Sequence, residues 1–558
     1  MTDVQHLTLE QCLALKLMPD VRYFDTGDGR EPVLQLPRSL ADGLRELAPC
    51  GVILFRENLA SLEQCRALTH QLRATLGENA LIGVDQEGGR VTRLPRSAVT
   101  SFSGNMALAA CADGEKLARE MASAQAAELR SLGINVNFVP SLDVNSNPDN
   151  PVIHVRSFGD DPQRVATLGA AVVAGLQDGA VAASVKHFPG HGDTSQDSHT
   201  HLPRVERTAE EARAIDLRPF REVIRQAAPA MVMTAHIQYP ALDGSRIPGS
   251  DVIVPATLSR RMLTGILRDE MGYGGVIITD ALDMRAISEL LSPEAVVEAC
   301  FRAGVDVALM PLLVRDAASL KRLQAMVPVL AAAVRAGRLD EGEIRASAAR
   351  VLALQQHFAL HGAAGSSMAC ESHRALEQRI AAASVTLIQG ELAPIQPGAR
   401  IHLLMPGESS AAAMTAALRD QEPQLQLTCQ SLERFDAERE RALVAQADVY
   451  LVGVSEPITS AVAVGGAEDL SALGDQSPAA VQRDCLFRAA GKRRIVALLF
   501  SPYPAPTFYD RSEVVLATYD GSVEGFDGAP GPAYRALAAV LCGRAPAPGA
   551  LPVTLAQA

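Results

Sequence analysis

Gly275-Val276-Ile277-Ile278-Thr279-Asp280 is an apolar run that stops abruptly at a carboxylate, and its form decides how the first part of the chain is read. Helices cover both sides of a parallel sheet, so a strand within one reads as a continuous apolar run rather than an alternating one. Working outward, the same form recurs at Gly51-Val52-Ile53-Leu54-Phe55 and at residues 81–85, 134–143, 181–187, 231–236 and 305–310. An amphipathic, helix-length stretch follows each run. One of them starts behind Pro255-Ala256-Thr257-Leu258-Ser259, continues to Met271 and stops at Gly272. Seven such runs over about 350 residues suit a closed (β/α)8 TIM-like barrel better than an open sheet, although an eighth run is not evident.

After a helical pattern over 341–360, Gly362-Ala363-Ala364-Gly365-Ser366-Ser367 loses all periodicity and has the composition of a linker. The chain therefore divides into a barrel catalytic domain over 1–361, a linker and leading helix over 362–380, and a second domain over 381–558. In the second domain, apolar runs at 385–388, 401–405, 449–454, 495–500 and 514–519 alternate with Ala-rich helical stretches such as 411–419. That alternation predicts an α/β (αβα) sandwich. No G-x-G-x-x-G follows its strands and no G-K-[ST] occurs, so no nucleotide cofactor is expected.

With 48% hydrophobic and 21% charged residues, the chain has the balance of a packed globular protein. Fifty-one Lys and Arg against 64 Asp and Glu leave a net charge of −13, without a basic block, which argues against nucleic acid as a partner. The opening MTDVQHLTLEQCLALKLMPD lacks the basic start and apolar run of an export signal, and no run reaches the length of about 18 apolar residues that a membrane span needs. A cytoplasmic protein with no membrane span is expected. The nine cysteines are scattered with no C-x-x-C pair, the pattern of reduced thiols rather than a disulfide framework. Tryptophan is absent and aromatics make up only 4%, which counts against a sugar held by ring stacking.

In a barrel the active site forms at the C-terminal strand ends, so the polar residue closing each run is the one to inspect. Those residues are Asp85, Asp143, Lys186-His187, His236 and Asp280, with Gln86-Glu87-Gly88-Gly89-Arg90-Val91-Thr92-Arg93 directly behind Asp85. Any single one could simply cap a helix, but five converging on one rim argue for a site. The densest stretch is Lys186-His187-Phe188-Pro189-Gly190-His191-Gly192-Asp193-Thr194-Ser195-Gln196-Asp197-Ser198-His199-Thr200-His201. His187 and His191 have the i, i+4 spacing of a zinc-binding helix. Pro189-Gly190 breaks that helix, and Phe188 stands where a zincin needs Glu, so no metal is assigned. The alternative is a Gly-rich loop over the barrel mouth in which Asp197 holds and tunes His199 for proton transfer near neutral pH. Ser198 lacks the G-x-S-x-G surround of a hydrolase nucleophile. A carboxylate at a buried strand end, opposite a general acid, is what glycosidic cleavage needs. Asp280 fills that place better than Asp283, which lies further into the connection.

These residues resemble the family 3 glycoside hydrolases, and within them the bacterial β-N-acetylglucosaminidase (β-hexosaminidase) branch in a two-domain form. The resemblance rests on Asp85-Gln86-Glu87-Gly88-Gly89-Arg90-Val91, Gly133-Ile134-Asn135-Val136-Asn137-Phe138-Val139-Pro140, Arg156-Ser157-Phe158-Gly159, the loop over 186–199, Ile278-Thr279-Asp280-Ala281-Leu282 and the closing Leu551-Pro552-Val553-Thr554. It implies a retaining mechanism with Asp280 as nucleophile, His199 as acid/base and Asp197 as its partner. It also implies sugar binding by Asp85, Arg93, Arg156, Lys186 and His187, without a cofactor. The implied substrate is a small carbohydrate, a β-linked N-acetylglucosamine cut from a muropeptide in peptidoglycan recycling. Glu87 and Arg90 read as an internal ion pair bracing their loop and stay outside the site. Two features depart from the family pattern: its single-domain members lack a second domain, and many two-domain relatives carry an export signal. Every assigned group precedes residue 300, so the second domain is expected to be structural or modulatory. Three alternatives stay open: a β-glucosidase with a second-domain glutamate as acid/base, a phosphorylase, and a sugar-binding protein on an inactive scaffold.

Overall fold

In the computed structural model, which describes residues 4–27, 29–198, 202–360, 368–455 and 479–555, the first strand is one the apolar runs did not announce. It is β1 (Leu17–Met18), followed by a hairpin of β2 (Tyr23–Asp25) and β3 (Arg30–Pro32). The runs read from sequence become β4 (Gly51–Ile53), β5 (Leu81–Val84), β6 (Val136–Asn137), β7 (Ala182–Phe188), β8 (Met231–Thr234), β9 (Val276–Ile278) and β10 (Ala308–Leu309). Strands β4 to β9 form one parallel sheet in chain order, and β1 pairs in parallel with β10. Backbone hydrogen bonds join this pair to both edges of the six-stranded sheet. On the β4 side Cys50 N donates to Leu17 O and Ile53 N to Pro19 O, both at 3.2 Å; on the β9 side Thr279 N donates to Val307 O and Leu282 N to Leu309 O, both at 3.0 Å. The result is a curled parallel sheet.

Period-two alternation explains the curl's two apolar faces. Ile53, Val136, Met231, Met233, Val276 and Ile278 belong to one cluster, inside the curl. Their neighbours Val52, Ile82, Val84, Val185, Val232 and Ile277 belong to another, shared with the surrounding helices. Gly83 faces inward because the Phe138 ring takes the space: a Cβ there would fall 2.8 Å from it. Two sequence expectations are corrected. The run over 134–143 keeps only β6 as strand, since Pro140 has no N–H to donate to a ladder. The helix expected behind Pro255 is a short turn, Ala256–Leu258, and then a π-helical segment, Arg261–Glu270. Among the described residues, the helix Ala317–Arg335 is long and apolar enough to cross a membrane by length and composition. Its Leu320, Leu323, Met326 and Leu330 are buried in the cluster that the helices share with the curled sheet.

The second sheet comprises β11 (Thr386–Gln389), β12 (Arg400–Met405), β13 (Gln426–Ser431), β14 (Val449–Val454), β15 (Arg493–Leu498) and β16 (Val514–Ala517). Their spatial order is β11-β16-β15-β14-β12-β13, parallel except for β11. β13 escaped the sequence reading because it is an edge strand with exposed positions, so it lacks the continuous apolar run of its neighbours. Met414, Leu418, Leu537 and Leu541 cover one face, and Val444, Leu486 and Phe508 the other. That second face also takes in Met106, Ala107 and Val155 of the N-terminal part, which docks the two sheets' layers together. The chain end adds staples: Thr554 N donates to Asp160 Oδ2 at 2.6 Å and Ala550 N to Ala110 O at 2.9 Å. Of the linker and leading helix expected over 362–380, residues 362–367 lie outside the described residues. Helix Glu371–Ser384 follows, with Glu377 accepting from Ser101 N at 2.7 Å.

Candidate active site

Parallel strands deliver their C-terminal ends to one rim. Asp85 follows β5, Lys186 and His187 lie on β7, and Asp280 comes two residues past β9. The loop behind β5 folds back because Gln86 Oε1 accepts from Arg93 N at 2.9 Å and Leu94 N at 3.2 Å, which returns Arg93 to the rim beside Asp85. Arg156 arrives from the tight turn His154–Arg156. Asp85, Arg93, Arg156, Lys186, His187 and Asp280 line one cavity, together with Arg22, Glu87, His191, Ser198 and Asp283. Asp197 is buried next to Ser198. His199 lies outside the described residues.

One wall of the cavity is an ionic network. Lys186 Nζ lies 2.7 Å from both Asp85 Oδ1 and Glu87 Oε1, and Arg156 grips Glu87 with two bonds of 2.8 and 3.0 Å. Burial alone would push the Glu87 carboxyl up, but Arg156 and Lys186 hold it well below the usual carboxylate range. Burial would likewise lower Lys186, yet Asp85 and Glu87 raise it above its ordinary value. The expected Glu87–Arg90 pair is corrected: Glu87 binds the two cations of the cavity wall, while Arg90 lies over the Phe500 ring of the second domain, 5.5 Å from its centroid. A buried carboxylate gains more from two desolvated cations across the cavity than from one neighbour in its own loop.

Asp143, read as a strand end without a role, orients His187. Its Oδ2 is 2.7 Å from His187 Nδ1, and it also accepts from Ser141 Oγ at 2.8 Å and His191 N at 2.7 Å. Burial opposes its ionisation, but His187 and these donors hold its carboxyl far below the usual range. An ionised carboxylate only accepts, so the His187 Nδ1 donates to it and the ring is fixed with its Nε2 edge turned away from Asp143. His191 is bound to Thr194 Oγ1 at 2.7 Å and to Ser198 Oγ at 3.0 Å, and burial pulls it down to about 4, so it is neutral. His236 supports the neighbour of Asp280: its Nε2 is 3.0 Å from Ala281 O, while Ala281 N donates to Asp280 Oδ1 at 2.8 Å.

The cavity balances four carboxylates (Asp85, Glu87, Asp280, Asp283) against four cations (Arg22, Arg93, Arg156, Lys186). Such a wall suits an uncharged ligand rich in hydroxyls, which can donate and accept at every edge. The apolar side is made of Ile53, Phe55, Met233, Met284, Leu309 and Met310, so methionines and aliphatics stand where a Trp-poor chain has few rings to offer. Sequence reading missed Arg22, because it follows the unannounced β1.

Among the described residues, no second-domain side chain lines this cavity. The second domain stands one layer back. Asn145 Oδ1 accepts from His154 N at 2.9 Å, its Nδ2 donates to Tyr503 OH at 2.6 Å, and the His154 ring lies 4.7 Å from that of Tyr503. Tyr503 thereby braces the turn that bears Arg156.

Residues 30–354 match the glycosyl hydrolase family 3 N terminal domain. The chain is 40% identical to beta-hexosaminidase A of Pseudoalteromonas piscicida over 98% of this chain and 97% of that protein. It is 36% identical to a beta-hexosaminidase of Idiomarina loihiensis over 47% of this chain and 76% of that one. A solved family 3 beta-N-acetylglucosaminidase from a Paenibacillus species superimposes with a TM-score of 0.80 at 32% identity, covering 98% of this chain and 99% of that one.

Proposed function

The chain belongs to glycosyl hydrolase family 3 and is a glycoside hydrolase, and from that premise we propose that it releases terminal β-linked N-acetylglucosamine with retention of configuration. The observation that carries this reading is Asp280, a carboxylate at a strand end in the same charge-balanced cavity as Asp85, Arg93, Arg156, Lys186 and His187. Relatives named for N-acetylglucosamine and hexosamine cleavage support the choice of sugar. We read the curled sheet with its β1–β10 pair as the (β/α)8 barrel that this family membership implies, and fragments of peptidoglycan as the substrate source.

Asp85, Lys186 and Arg156 bracket the hydroxyls of the terminal sugar and fix its C1 against Asp280, with Arg93 and His187 completing the hold. The Asp280 carboxylate attacks C1 while His199, held by Asp197, gives its proton to the departing oxygen. The C1–oxygen bond breaks as the glycosyl-enzyme bond forms. His199 then takes a proton from water, whose oxygen displaces Asp280 from C1 and restores both groups.

The test is nitrophenol release from p-nitrophenyl N-acetyl-β-glucosaminide, beside the glucoside, with and without phosphate. Wild type is expected to turn over the N-acetylated substrate, and Asp280→Asn to lose about 10⁴-fold in kcat with an unchanged Tm. Equal turnover of the glucoside would overturn the sugar assignment. A phosphate-dependent sugar phosphate would move the acceptor from water to phosphate, and an active Asp280→Asn would pass the nucleophile's role to Asp283.

A further inference from the structure

The segment 189–198 leads to the proposed acid/base, and it is pinned where it starts. A Cβ at Gly192 would fall 1.9 Å from Val144 O, and one at Gly190 (φ +134°) would fall 2.7 Å from Asp216 Cβ, so glycine alone lets the loop lie this close to its floor. Asn150 Nδ2 donates to His191 O at 2.8 Å. Beyond the dyad, the returning chain is fixed again: Val205 N donates to Gln238 O at 3.0 Å and Gln238 N to Pro203 O at 2.8 Å.

One side chain joins these two ends. Arg207 Nε lies 3.1 Å from Asp216 Oδ2, and its terminal NH2 group lies 3.1 Å from Asp193 Oδ1. The same NH2 donates to Ser146 Oγ, which donates in turn to Asp193 Oδ1 at 3.1 Å. Asp216 is completely buried and takes the Tyr239 hydroxyl at 2.6 Å as its second partner. Burial pushes the Asp216 carboxyl up to about 7 while Arg207 opposes the rise, so the guanidinium favours the charged pair. Arg207 is largely buried yet does not line the cavity. Its Nε and one NH2 group face carboxylates of the loop and the loop's floor.

We propose that Arg207 is a positioning residue for proton transfer: by bridging Asp193 to Asp216 it ties the chain on the N-terminal side of Asp197 to the loop's floor and so positions Asp197 for its proton-transfer role. This rests on the reading of His199 as acid/base. It assigns a catalytic effect to a group with no substrate contact, and it predicts where that effect will be seen. A leaving group that departs readily as an anion needs little proton donation, whereas a poor one depends on it. Misplacing the dyad therefore harms poor leaving groups most, whereas lost folding harms every substrate equally.

The experiment is kcat/KM for 2,4-dinitrophenyl, p-nitrophenyl and phenyl N-acetyl-β-glucosaminides with wild type, Arg207→Gln, Arg207→Lys, Asp193→Asn and His199→Ala. For Arg207→Gln the phenyl glycoside is expected to lose about 10- to 100-fold more than the dinitrophenyl one, a part of the 10²–10⁴-fold that general acid catalysis supplies. Arg207→Lys recovers part of the difference, because an ammonium can hold one carboxylate well but not two through a planar fork. Asp193→Asn cuts only the half-exposed end of the bridge and gives a smaller loss of the same sign, and it carries the test if Arg207→Gln does not fold. Losses equal across the three substrates in both Arg207→Gln and Asp193→Asn, beside a leaving-group-dependent loss in His199→Ala, would overturn the inference and spare the acid/base reading. A His199→Ala profile independent of the leaving group would overturn that reading and the inference with it.

Discussion

At the C-terminal ends of the strands Lys186 sits 2.7 Å from Asp85 and from Glu87. At the N-terminal ends Lys16, equally buried, shares a single carboxylate, Asp306, with Arg268 and Arg350. Burial disfavours an ammonium in both places, yet the outcome differs: Lys186 rises above its ordinary pKa, and Lys16 falls to about 7. The balance of neighbouring charge decides. On the cavity side two cations, Lys186 and Arg156, meet two carboxylates, Asp85 and Glu87. On the closed side three cations meet one, and Lys16 is the group able to give up its proton, keeping bonds to Val305 O at 2.8 Å and to Ser347 Oγ. The cavity wall keeps fixed charges, while the packing network at the closed rim needs only its hydrogen bonds.

Removing the shared carboxylate separates the two networks most sharply. Asp306→Asn leaves the buried Lys16 and the partly buried Arg268 and Arg350 without a counter-charge, and it is expected to lower stability by about 3–5 kcal/mol in denaturant unfolding. The kcat/KM of the folded fraction should stay within about twofold, since Asp306 lies at the rim away from the cavity. A large loss of kcat/KM at full folding would merge the two networks into one. The reverse pattern is expected for Lys186→Met: about 10²-fold lower kcat/KM, from a charge-assisted hydrogen bond of about 1.5–3 kcal/mol. Glu87 keeps Arg156 in that variant, so the Tm shift should be smaller than for Asp306→Asn. An unchanged kcat/KM would remove Lys186 from the binding wall.

A smaller effect tests how far the cavity network extends into the second domain. Tyr503→Phe deletes the hydroxyl that accepts from Asn145 Nδ2 and keeps the ring on His154. A net hydrogen bond of about 0.5–1.5 kcal/mol predicts a KM about two- to tenfold higher, with kcat nearly unchanged, on the proposal that Arg156 binds the sugar equally in ground and transition states. An unchanged KM would confine the second domain to scaffolding. The expectation drawn from sequence, that this domain is structural or modulatory, gains a concrete route through Tyr503, Asn145 and the Arg156 turn.

Much of this was legible in the chain itself, for a physical reason. Parallel strands buried on both faces announce themselves as apolar runs, and the rim residues stand at the end of each run, so Asp85, Lys186, His187 and Asp280 could be read directly. What stayed hidden has little local signature. β1 is two residues long and makes its bonds to partners far along the chain. β13 is a polar edge. The partners of Glu87 and His187, Arg156 and Asp143, lie 69 and 44 positions away, and which buried carboxylate meets which cation depends on how the strands stack. A neighbour three positions off, Arg90, was the nearest guess available and the wrong one.

The finest distinction between the two lysines is their dependence on pH. Folding takes Lys16 from 10.5 to about 7, so between these values the unfolded chain binds a proton that the folded protein does not. Stability from this group therefore falls as pH drops from 10.5 towards 7, and the loss is complete below the folded value. Lys16→Met removes that liability and replaces the amine, whose Nζ lies 4.2 Å from the Phe301 ring centroid, with an apolar chain end. The variant's stability relative to wild type should be greatest at pH 7 and below, and should shrink steadily towards pH 9.5, as read by urea midpoints at each pH. kcat/KM should be the same for both proteins across that range, because Lys16 touches nothing in the cavity. A gap that does not change with pH would mean that Lys16 stays protonated like Lys186. The excess of cations at the closed rim would then be neutralised by a group other than the lysine, and charge balance would no longer be what distinguishes the two ends of the sheet.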